Sequence, residues 1–274
     1  MLDSTRRDAG ISLVDLPHLV AGGRWHTAAM RSYAQPVLYW FAKGRGRMTI
    51  RGVTRSFGPQ DVIVIPDGVM HGFDATREID GVLLFLGDEL AASLPEEPRH
   101  LTLHDTTAQS ELAGQIDNIR TELSCETDLS ARALGFHTGL LAVWLERQEN
   151  KGDAPDATAR PRACETLAEA YTALLERYFR DGHTVADFAR ALGVTPAHLS
   201  RACRLASGRP ASAFLQDRIH FEARRLLQDT TMPIRDVAQT LGFTSHAYFT
   251  RAFQARNGMT PSAFRRSETT DTAH

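Results

Sequence analysis

The stretch "VAQTLGFTSHAYFTRAFQARNGMTPSAFR" at residues 237–265 decides the C-terminal fold. It predicts a short helix, a tight turn at Gly242 and a second helix that ends at Gly258, because glycine accepts the positive φ that such a turn or C-cap requires. Thr244 or Ser245 can cap the second helix, and its first backbone N–H groups then face outward, as phosphate contact needs. Two helices joined in this way form a helix-turn-helix.

The same pattern occurs 49 residues earlier in the chain. "VADFARALGVT" at 185–195 aligns with "IRDVAQTLGFT" at 234–244, and a long amphipathic helix over 210–227 is predicted between the two copies. Each copy carries an arginine at the matching place of its second helix, Arg201 and Arg251. One such match is weak, but two copies in register favour a tandem pair of helix-turn-helices.

Positive charge is concentrated in this part of the chain. The whole sequence has a net charge of −2, yet residues 183–266 hold twelve arginines against five acidic residues. Such a segment indicates an anionic partner, most simply the phosphates of nucleic acid. A solvated helical surface is the alternative that charge alone leaves open.

Composition and cysteine usage set the class of protein. The 274 residues contain no run of 18 or more apolar residues, so no transmembrane span and no membrane partner are expected. The N-terminal stretch lacks the continuous apolar core of a secretory signal. The cysteines, Cys125, Cys164 and Cys203, have no metal or redox spacing, which is typical of reduced thiols in a cytoplasmic protein.

Residues 24–90 have the sequence pattern of an antiparallel β domain. Short apolar runs at 37–42, 47–53, 61–66 and 81–86 alternate with glycine and proline turns every eight to twelve residues. This pattern predicts a sandwich or barrel.

Residues 107–149 change to a helical period, and residues 150–162 are polar with two prolines, as in a linker. A second predicted helix in this region places Leu134, Leu141 and Leu145 on one side. The apolar seam of the first helix either packs on the sheet or pairs with a second subunit; we favour pairing, and so predict a homodimer through Leu112, Ile116, Ile119 and Leu123.

The repeat, the connecting helix and the ending at 241–265 resemble the DNA-binding domain of the AraC-type (arabinose-regulator, AraC-XylS) transcription factors, over roughly residues 165–266. The resemblance implies that Phe249 and Phe253 bury the second recognition helix. It also implies that the two recognition helices enter successive major grooves about one turn apart.

The resemblance implies which residues of this sequence face the DNA bases. Arginine suits guanine bidentately, whereas serine, threonine and histidine are less selective. A phosphate contact or an intrahelix ion pair is the alternative for each arginine. The implied positions are Ala197, Ser200 and Arg201 on the first helix and His246, Ala247, Thr250 and Arg251 on the second.

"FGPQDVIVIPDGVMHGFD" at residues 57–74 resembles the second signature of the cupins, in which His71 would be a metal ligand. The upstream His-x-His of metal cupins is missing, because its two positions fall near Arg31 and Tyr33. A lone histidine is no metal site. We therefore expect no metal, no cofactor and no catalysis.

A small barrel without a metal can hold one small ligand. A buried arginine is costly unless paired, so Arg31 favours a polar or anionic organic effector. Ordinary barrel packing is the alternative for every candidate. The effector-binding candidates are Arg31, Tyr33, Tyr39, His71 and Phe73, with Trp25 and His26 as weaker ones.

The sequence as a whole predicts an α+β two-domain regulator. Its parts are a cupin-like jelly-roll sensor at 1–106, a helical dimerisation segment at 107–149, a linker at 150–162 and an all-α double helix-turn-helix at 163–268. Effector binding would shift the sensor dimer or an N-terminal arm, about residues 1–20, between two states.

The expected partners are double-stranded DNA, the effector, RNA polymerase and a second copy of the chain. Two other classes remain open at this point. One is a metal-dependent cupin enzyme with a vestigial DNA-binding module, which the missing His-x-His opposes. The other is a helical interaction module that does not bind DNA, which the basic segment and the matched arginines oppose.

Overall fold

A computed structural model describes residues 10–21, 27–76, 78–87, 94–125, 127, 129–151 and 162–271, with side chains to 267. Trp25, His26, most of the linker and residues 1–9 lie outside the described residues. The chain divides into two compact units. The first comprises 1–28, 32–50 and 54–161, and the second comprises 29–31, 51–53 and 162–274.

The first unit contains two antiparallel β-sheets. Its strands are β1 Ile11–Asp15, β2 Val37–Lys43, β3 Gly46–Ile50, β4 Val53–Phe57, β5 Asp61–Ile65, β6 His71–Ala75, β7 Asp80–Leu86 and β8 Arg99–Thr102. The described part of the larger sheet has the order β1-β7-β2-β5-β8, and that of the smaller has β4-β3-β6. The apolar runs predicted at 37–42, 61–66 and 81–86 are confirmed as β2, β5 and β7.

The central strands of the larger sheet are buried on both faces. Tyr39 is paired with Ile63 and Leu83, and the next residue back, Leu38, with Val64 and Leu84. Because successive side chains alternate between faces, the sheet presents two apolar surfaces. One faces the smaller sheet across a core that includes Phe41, Met48, Phe57 and Phe73. Of the two predicted arrangements, sandwich or barrel, the described strands form a sandwich of two separate sheets.

Helices α2 (Thr106–Ser124) and α3 (Ser130–Asn150) cover the other face of the larger sheet. The predicted dimerisation seam is wrong. Leu112, Ile116 and Ile119 are buried within a single chain, in the same core as Leu38 and Val64, with Leu123 packed at its margin. The face of the sheet needs this cover, since its apolar side chains would otherwise lie in water. The predicted side of α3 is also buried there: Leu134, Leu141 and Leu145.

The N-terminal arm is partly built into the sheet. β1 pairs with β7 from Ile11↔Leu86 to Asp15↔Val82, and a six-residue helix, α1 (Leu16–Ala21), follows it. Arg120 donates two hydrogen bonds to Asp15, of 2.7 and 3.1 Å. Residues 11–15 therefore cannot move as an arm without breaking a strand pairing.

The second unit is helical where it is described beyond residue 162. The confirmed helices follow the predicted tandem repeat, with α7 as the connecting helix. They are α4 Ala163–Tyr178, α5 Val185–Ala191, α6 Pro196–Ser207, α7 Ala211–Asp229, α8 Ile234–Thr240, α9 His246–Asn257 and α10 Pro261–Asp271.

Candidate nucleic-acid interface

The first helix-turn-helix consists of α5 and α6. Gly193 makes the turn with φ +68°. Thr195 caps α6 by accepting a 3.2 Å hydrogen bond from the backbone N–H of His198, and Pro196 occupies the first helical position. Gly208 ends the helix in the left-handed conformation. The predicted cap and stop are confirmed.

The second helix-turn-helix, α8 and α9, repeats this arrangement. Gly242 has φ +75° and Gly258 has φ +72°. Of the two predicted caps, Ser245 is the one used, and it accepts a 3.3 Å hydrogen bond from the N–H of Tyr248. In both copies the capping side chain accepts from one N–H group in the first turn of the recognition helix, and a helix leaves its other first-turn N–H groups without an intrahelical acceptor.

Each recognition helix buries one face and exposes the other. Phe249 and Phe253 of α9 are buried, and the Phe253 ring lies 5.5 Å from that of Phe264. On α6, Leu199 and Cys203 are buried in the same way. The opposite face of each helix is thereby turned outward.

All seven predicted base-facing residues lie on these outward faces. Ser200 and Thr250 are half-buried at the margin of the face, and the other five are exposed. The exposed five are Ala197, Arg201, His246, Ala247 and Arg251. Their contact with bases stays a prediction.

Many arginines of this unit are paired with acidic residues, but the two matched ones are not. Those with a carboxylate within salt-bridge distance are Arg162, Arg180, Arg190, Arg209, Arg218, Arg225, Arg235 and Arg256. Within the described residues Arg201 and Arg251 have no ion pair and no hydrogen-bond partner. The intrahelix ion pair is therefore not formed, and both guanidinium groups remain available to an outside anion.

Sequence reasoning missed three further side chains on the same faces. Tyr248 is 59% exposed in the first turn of α9, three residues before Arg251. His198 and Arg204 are exposed on α6, each three residues from Arg201. Residues three apart are surface neighbours on a helix, so helical spacing around each arginine could have found them.

A buried ion network stiffens the unit behind these helices. Glu222 on α7 accepts hydrogen bonds from Arg180, Arg218 and Arg225 at 2.7, 3.0 and 2.7 Å. Burial alone would raise the pKa of Glu222, but the Arg225 hydrogen bond and the Arg218 charge outweigh it and lower the pKa to about 2. Glu222 is thus ionised at neutral pH.

Four of the five effector candidates come together in the core between the sheets. The Tyr39 and Phe73 ring centroids are 5.6 Å apart, and Tyr33 lies 5.4 Å from His71. The Tyr39 hydroxyl is 3.1 Å from Nε2 of His71. These side chains form an aromatic cluster with one polar pair inside it.

Arg31, the fifth effector candidate, is grouped with the second unit, and the contacts described for it do not support its assignment as a pocket residue. Residues 29–31 group with the second unit, where the Arg31 guanidinium lies 5.8 Å from the centre of the Phe221 ring. Its Nε also donates a 3.1 Å hydrogen bond to the carbonyl of Ala29. The side chain is 5% exposed, and the Phe221 ring and the Ala29 carbonyl are among the groups around it.

Both ring nitrogens of His71 are occupied by protein groups. Nδ1 donates to the carbonyl of Val69 at 2.8 Å, so in the neutral ring Nε2 is the acceptor of the Tyr39 hydroxyl. Among the described residues no group of three histidine, cysteine or acidic side chains is placed to hold a metal ion. No helix in that part of the chain is both long and apolar enough to cross a membrane.

A unit with two matched helix-turn-helices, in a chain whose other unit is a β-sandwich, defines a helix-turn-helix protein, and comparison with known proteins agrees. A family model described as a helix-turn-helix domain matches residues 188–267. The arabinose operon regulatory protein of Escherichia coli K12 is 27% identical over 158 residues, which are 57% of this chain and 50% of that protein. The chain spans half or less of the length of the arabinose regulators it matches.

A shorter relative is covered more fully. The probable transcription factor PqrA of Proteus vulgaris is 32% identical over 94 residues, 34% of this chain and 77% of that protein. The chain belongs to the AraC-type family of helix-turn-helix transcriptional regulators.

A solved structure of ToxT from Vibrio cholerae strain SCE256, described as bound to an unsaturated fatty acid, is also similar. It aligns over 93% of this chain and 94% of that one, with 13% identity and a TM-score of 0.44.

Proposed function

We propose that the chain is an effector-responsive, sequence-specific DNA-binding regulator of transcription that acts in the cytoplasm and has no catalytic role. The observation that carries this proposal is the pair of capped recognition helices, each with an exposed arginine, Arg201 or Arg251, that no carboxylate neutralises. Arginine is the side chain best suited to read guanine in the major groove.

Activation through RNA polymerase is the favoured mode of action. A relative that is 35% identical over 83 residues bears the name transcriptional activator AarP, from Providencia stuartii. Transcription in vitro from a promoter that carries the selected site should rise when the full chain is added. A fall would make the chain a repressor.

Arg251→Ala should weaken binding of the full chain to its preferred duplex by roughly 1–3 kcal/mol and relax sequence preference at one or two positions. The reason is the loss of a bidentate contact to a base edge. Binding of the unmodified chain should also fall steeply with salt, because phosphate contacts release counterions. Fluorescence anisotropy at several salt concentrations measures both effects.

Arg177→Ala is the matched control, because Arg177 is an exposed arginine on α4, outside both helix-turn-helices. It should leave sequence preference unchanged. If Arg251→Ala weakened all duplexes equally, Arg251 would contact phosphate and the base-reading role would be wrong.

The enzyme alternative has little support in the site. A metal at His71 would have to displace the Val69 or Tyr39 partner from a ring nitrogen. No ligand set accompanies it among the described residues. Metal analysis of the purified chain tests this directly: stoichiometric metal would favour the enzyme.

We place the effector in the aromatic cluster formed by Tyr33, Tyr39, His71 and Phe73. The Tyr39 hydroxyl and His71 form a polar pair among aromatic rings, and a small ligand that separates the two would gain a hydroxyl and an imidazole nitrogen as partners. The rings are in contact, with Phe41 and Phe57 stacked at 3.8 Å. A ligand that enters must separate them, so binding would be coupled to a conformational change.

A small hydroxylated or aromatic compound that binds here should raise the thermal midpoint of the full chain, with stabilisation of about 2.7 kcal/mol at a hundred times its Kd. Tyr39→Phe should raise the ligand concentration needed for a given stabilisation by roughly fivefold, because one hydrogen bond to the ligand is lost. Arg31→Ala is the control and should respond as the unmodified chain does. A response lost in Arg31→Ala and kept in Tyr39→Phe would contradict the assignment.

We also propose a homodimer, through a different surface from the buried seam. α3 and the residue before it expose a stripe of large apolar side chains, Leu129, Phe136, Leu140 and Val143. Gly135 and Gly139 lie beside it, and a Cβ added at either would meet no atom within 4 Å. An apolar stripe flanked by glycines suits the close approach of a helix from a second copy. Sedimentation of the full chain across a concentration series measures the association.

A further inference from the structure

A single buried carboxylate on the connecting helix α7 contacts the ends of both recognition helices. Asp217 is 1% exposed. Its Oδ2 accepts a 2.6 Å hydrogen bond from Arg209, and its Oδ1 accepts one from Arg256. The backbone N–H of Met30, which groups with this unit, also donates to Oδ2, at 3.0 Å.

The two arginines occupy related places in the fold. Arg209 directly follows Gly208, the C-cap of α6, and Arg256 lies in the last turn of α9. Asp217 therefore joins the C-terminal end of the first recognition helix to that of the second. Hydrogen bonds between charged groups are short and directional, so they restrain position as well as contributing energy.

A second buried carboxylate on α7 does not connect the two recognition helices. Glu222 is also bonded to several arginines, but Arg180 follows α4, and Arg218 and Arg225 belong to α7 itself. No hydrogen bond of Glu222 reaches α6 or α9 in the described part of the chain. Both carboxylates are buried, lie on α7 and bind arginines. They differ in the elements that these arginines belong to.

We propose that Asp217 is a positioning residue that fixes the distance and angle between the two recognition helices. In doing so it sets the spacing between the two DNA half-sites that the chain accepts. This inference rests on the proposed function, because it needs both helices to bind one duplex.

Half-site spacing is a sensitive readout of this geometry. One inserted base pair moves the second half-site by about 3.4 Å along the duplex axis and turns it by roughly 35°. A rigid pair of helices cannot follow that displacement and loses base contacts at one half-site. The unmodified chain should therefore bind a duplex with one inserted base pair roughly tenfold or more weakly than its preferred duplex.

The experiment compares full chains with Asp217→Asn and Glu222→Gln. The probe is the duplex that the unmodified chain selects from a random library, and the same duplex with one base pair inserted or removed between its half-sites. Asp217→Asn should fold, because the side chains of Arg209 and Arg256 are 33% and 38% exposed and can be solvated when the carboxylate is lost. Urea unfolding of each variant records its stability.

Asp217→Asn should reduce the spacing penalty to about threefold or less, because each helix can then move independently. Glu222→Gln should lower stability and keep the full penalty. Arg256→Gln removes the ion pair between Asp217 and the partly exposed Arg256. It should reduce the spacing penalty as Asp217→Asn does, and it replaces Asp217→Asn in the experiment if that variant does not fold.

Equal penalties in Asp217→Asn and the unmodified chain would overturn the proposal. So would a penalty that Glu222→Gln loses as well, since that would reflect general loosening of the unit. If the unmodified chain selects no duplex at all, the proposed function itself fails. That result can be told apart from the two outcomes above, in which a duplex is selected.

Discussion

Gly242→Ala is expected to destabilise the second unit by about 2–5 kcal/mol, the sum of a left-handed backbone penalty and a steric clash. Gly242 has φ +75°, and an added Cβ would lie 2.3 Å from the backbone nitrogen of Gly182 and 2.6 Å from the carbonyl oxygen of Arg180. Both obstacles are main-chain atoms, so no side chain can turn aside. The loop before α5 would have to move.

Gly193→Ala is the matched control. Gly193 makes the equivalent turn with φ +68°, but a Cβ there would meet nothing within 4 Å. Only the backbone penalty applies, about 1–2 kcal/mol. Urea unfolding followed by far-ultraviolet circular dichroism measures both variants. If Gly242→Ala and Gly193→Ala lowered the free energy of unfolding equally, the contact with Gly182 would not constrain the turn.

Leu140→Asp is expected to convert the proposed dimer into a monomer, with association weakened by roughly 30-fold or more. The Leu140 side chain is 63% exposed in the middle of the apolar stripe on α3. In a dimer it would be covered, and an unpaired carboxylate there would lose its hydration. Sedimentation equilibrium of the full chain gives the dissociation constant.

Leu205→Asp makes the same chemical change at an equally exposed leucine, 61% accessible on α6 in the other unit. It should leave association unchanged. A monomer in the unmodified chain, or dissociation by both variants alike, would remove this stripe as the interface.

Sequence patterns predicted the second unit in detail because its determinants are local. A turn glycine, a capping Thr195 or Ser245 and a buried Phe249 each act within a few residues of themselves. The repeat doubled every such signal. Even the choice between Thr244 and Ser245 as cap was limited to two neighbouring residues.

The buried seam was wrongly assigned although the sequence contained the correcting signal. β5, "DVIVI", is apolar at four consecutive positions, and β7 is apolar throughout "VLLFL". Strands of this kind are buried on both faces, so the sheet needs a helical layer as well as a facing sheet. Leu112, Ile116 and Ile119 supply that layer, and the interface candidates are then the residues that α3 leaves exposed.

The surroundings of Arg31 and the pairing of the arginines have no local signal in the sequence. Phe221, beside Arg31, lies far along the chain, and only the tertiary fold brings the two together. The excess of arginines in the second unit likewise overstates its accessible positive charge. Arg218, for example, is buried against Glu176 and Glu222, whereas Arg251 is not paired. Pairing of this kind depends on packing, which helical periodicity does not report.

Selection of duplexes from a random library by the full chain, by Arg201→Ala and by Arg251→Ala tests directly whether both recognition helices read bases. We expect two half-sites whose centres are about 10 base pairs apart. Each variant should relax sequence preference at one or two positions of one half-site and leave the other half-site unchanged. Enrichment of no sequence by the unmodified chain, or uniform weakening of the whole motif in both variants, would contradict this expectation.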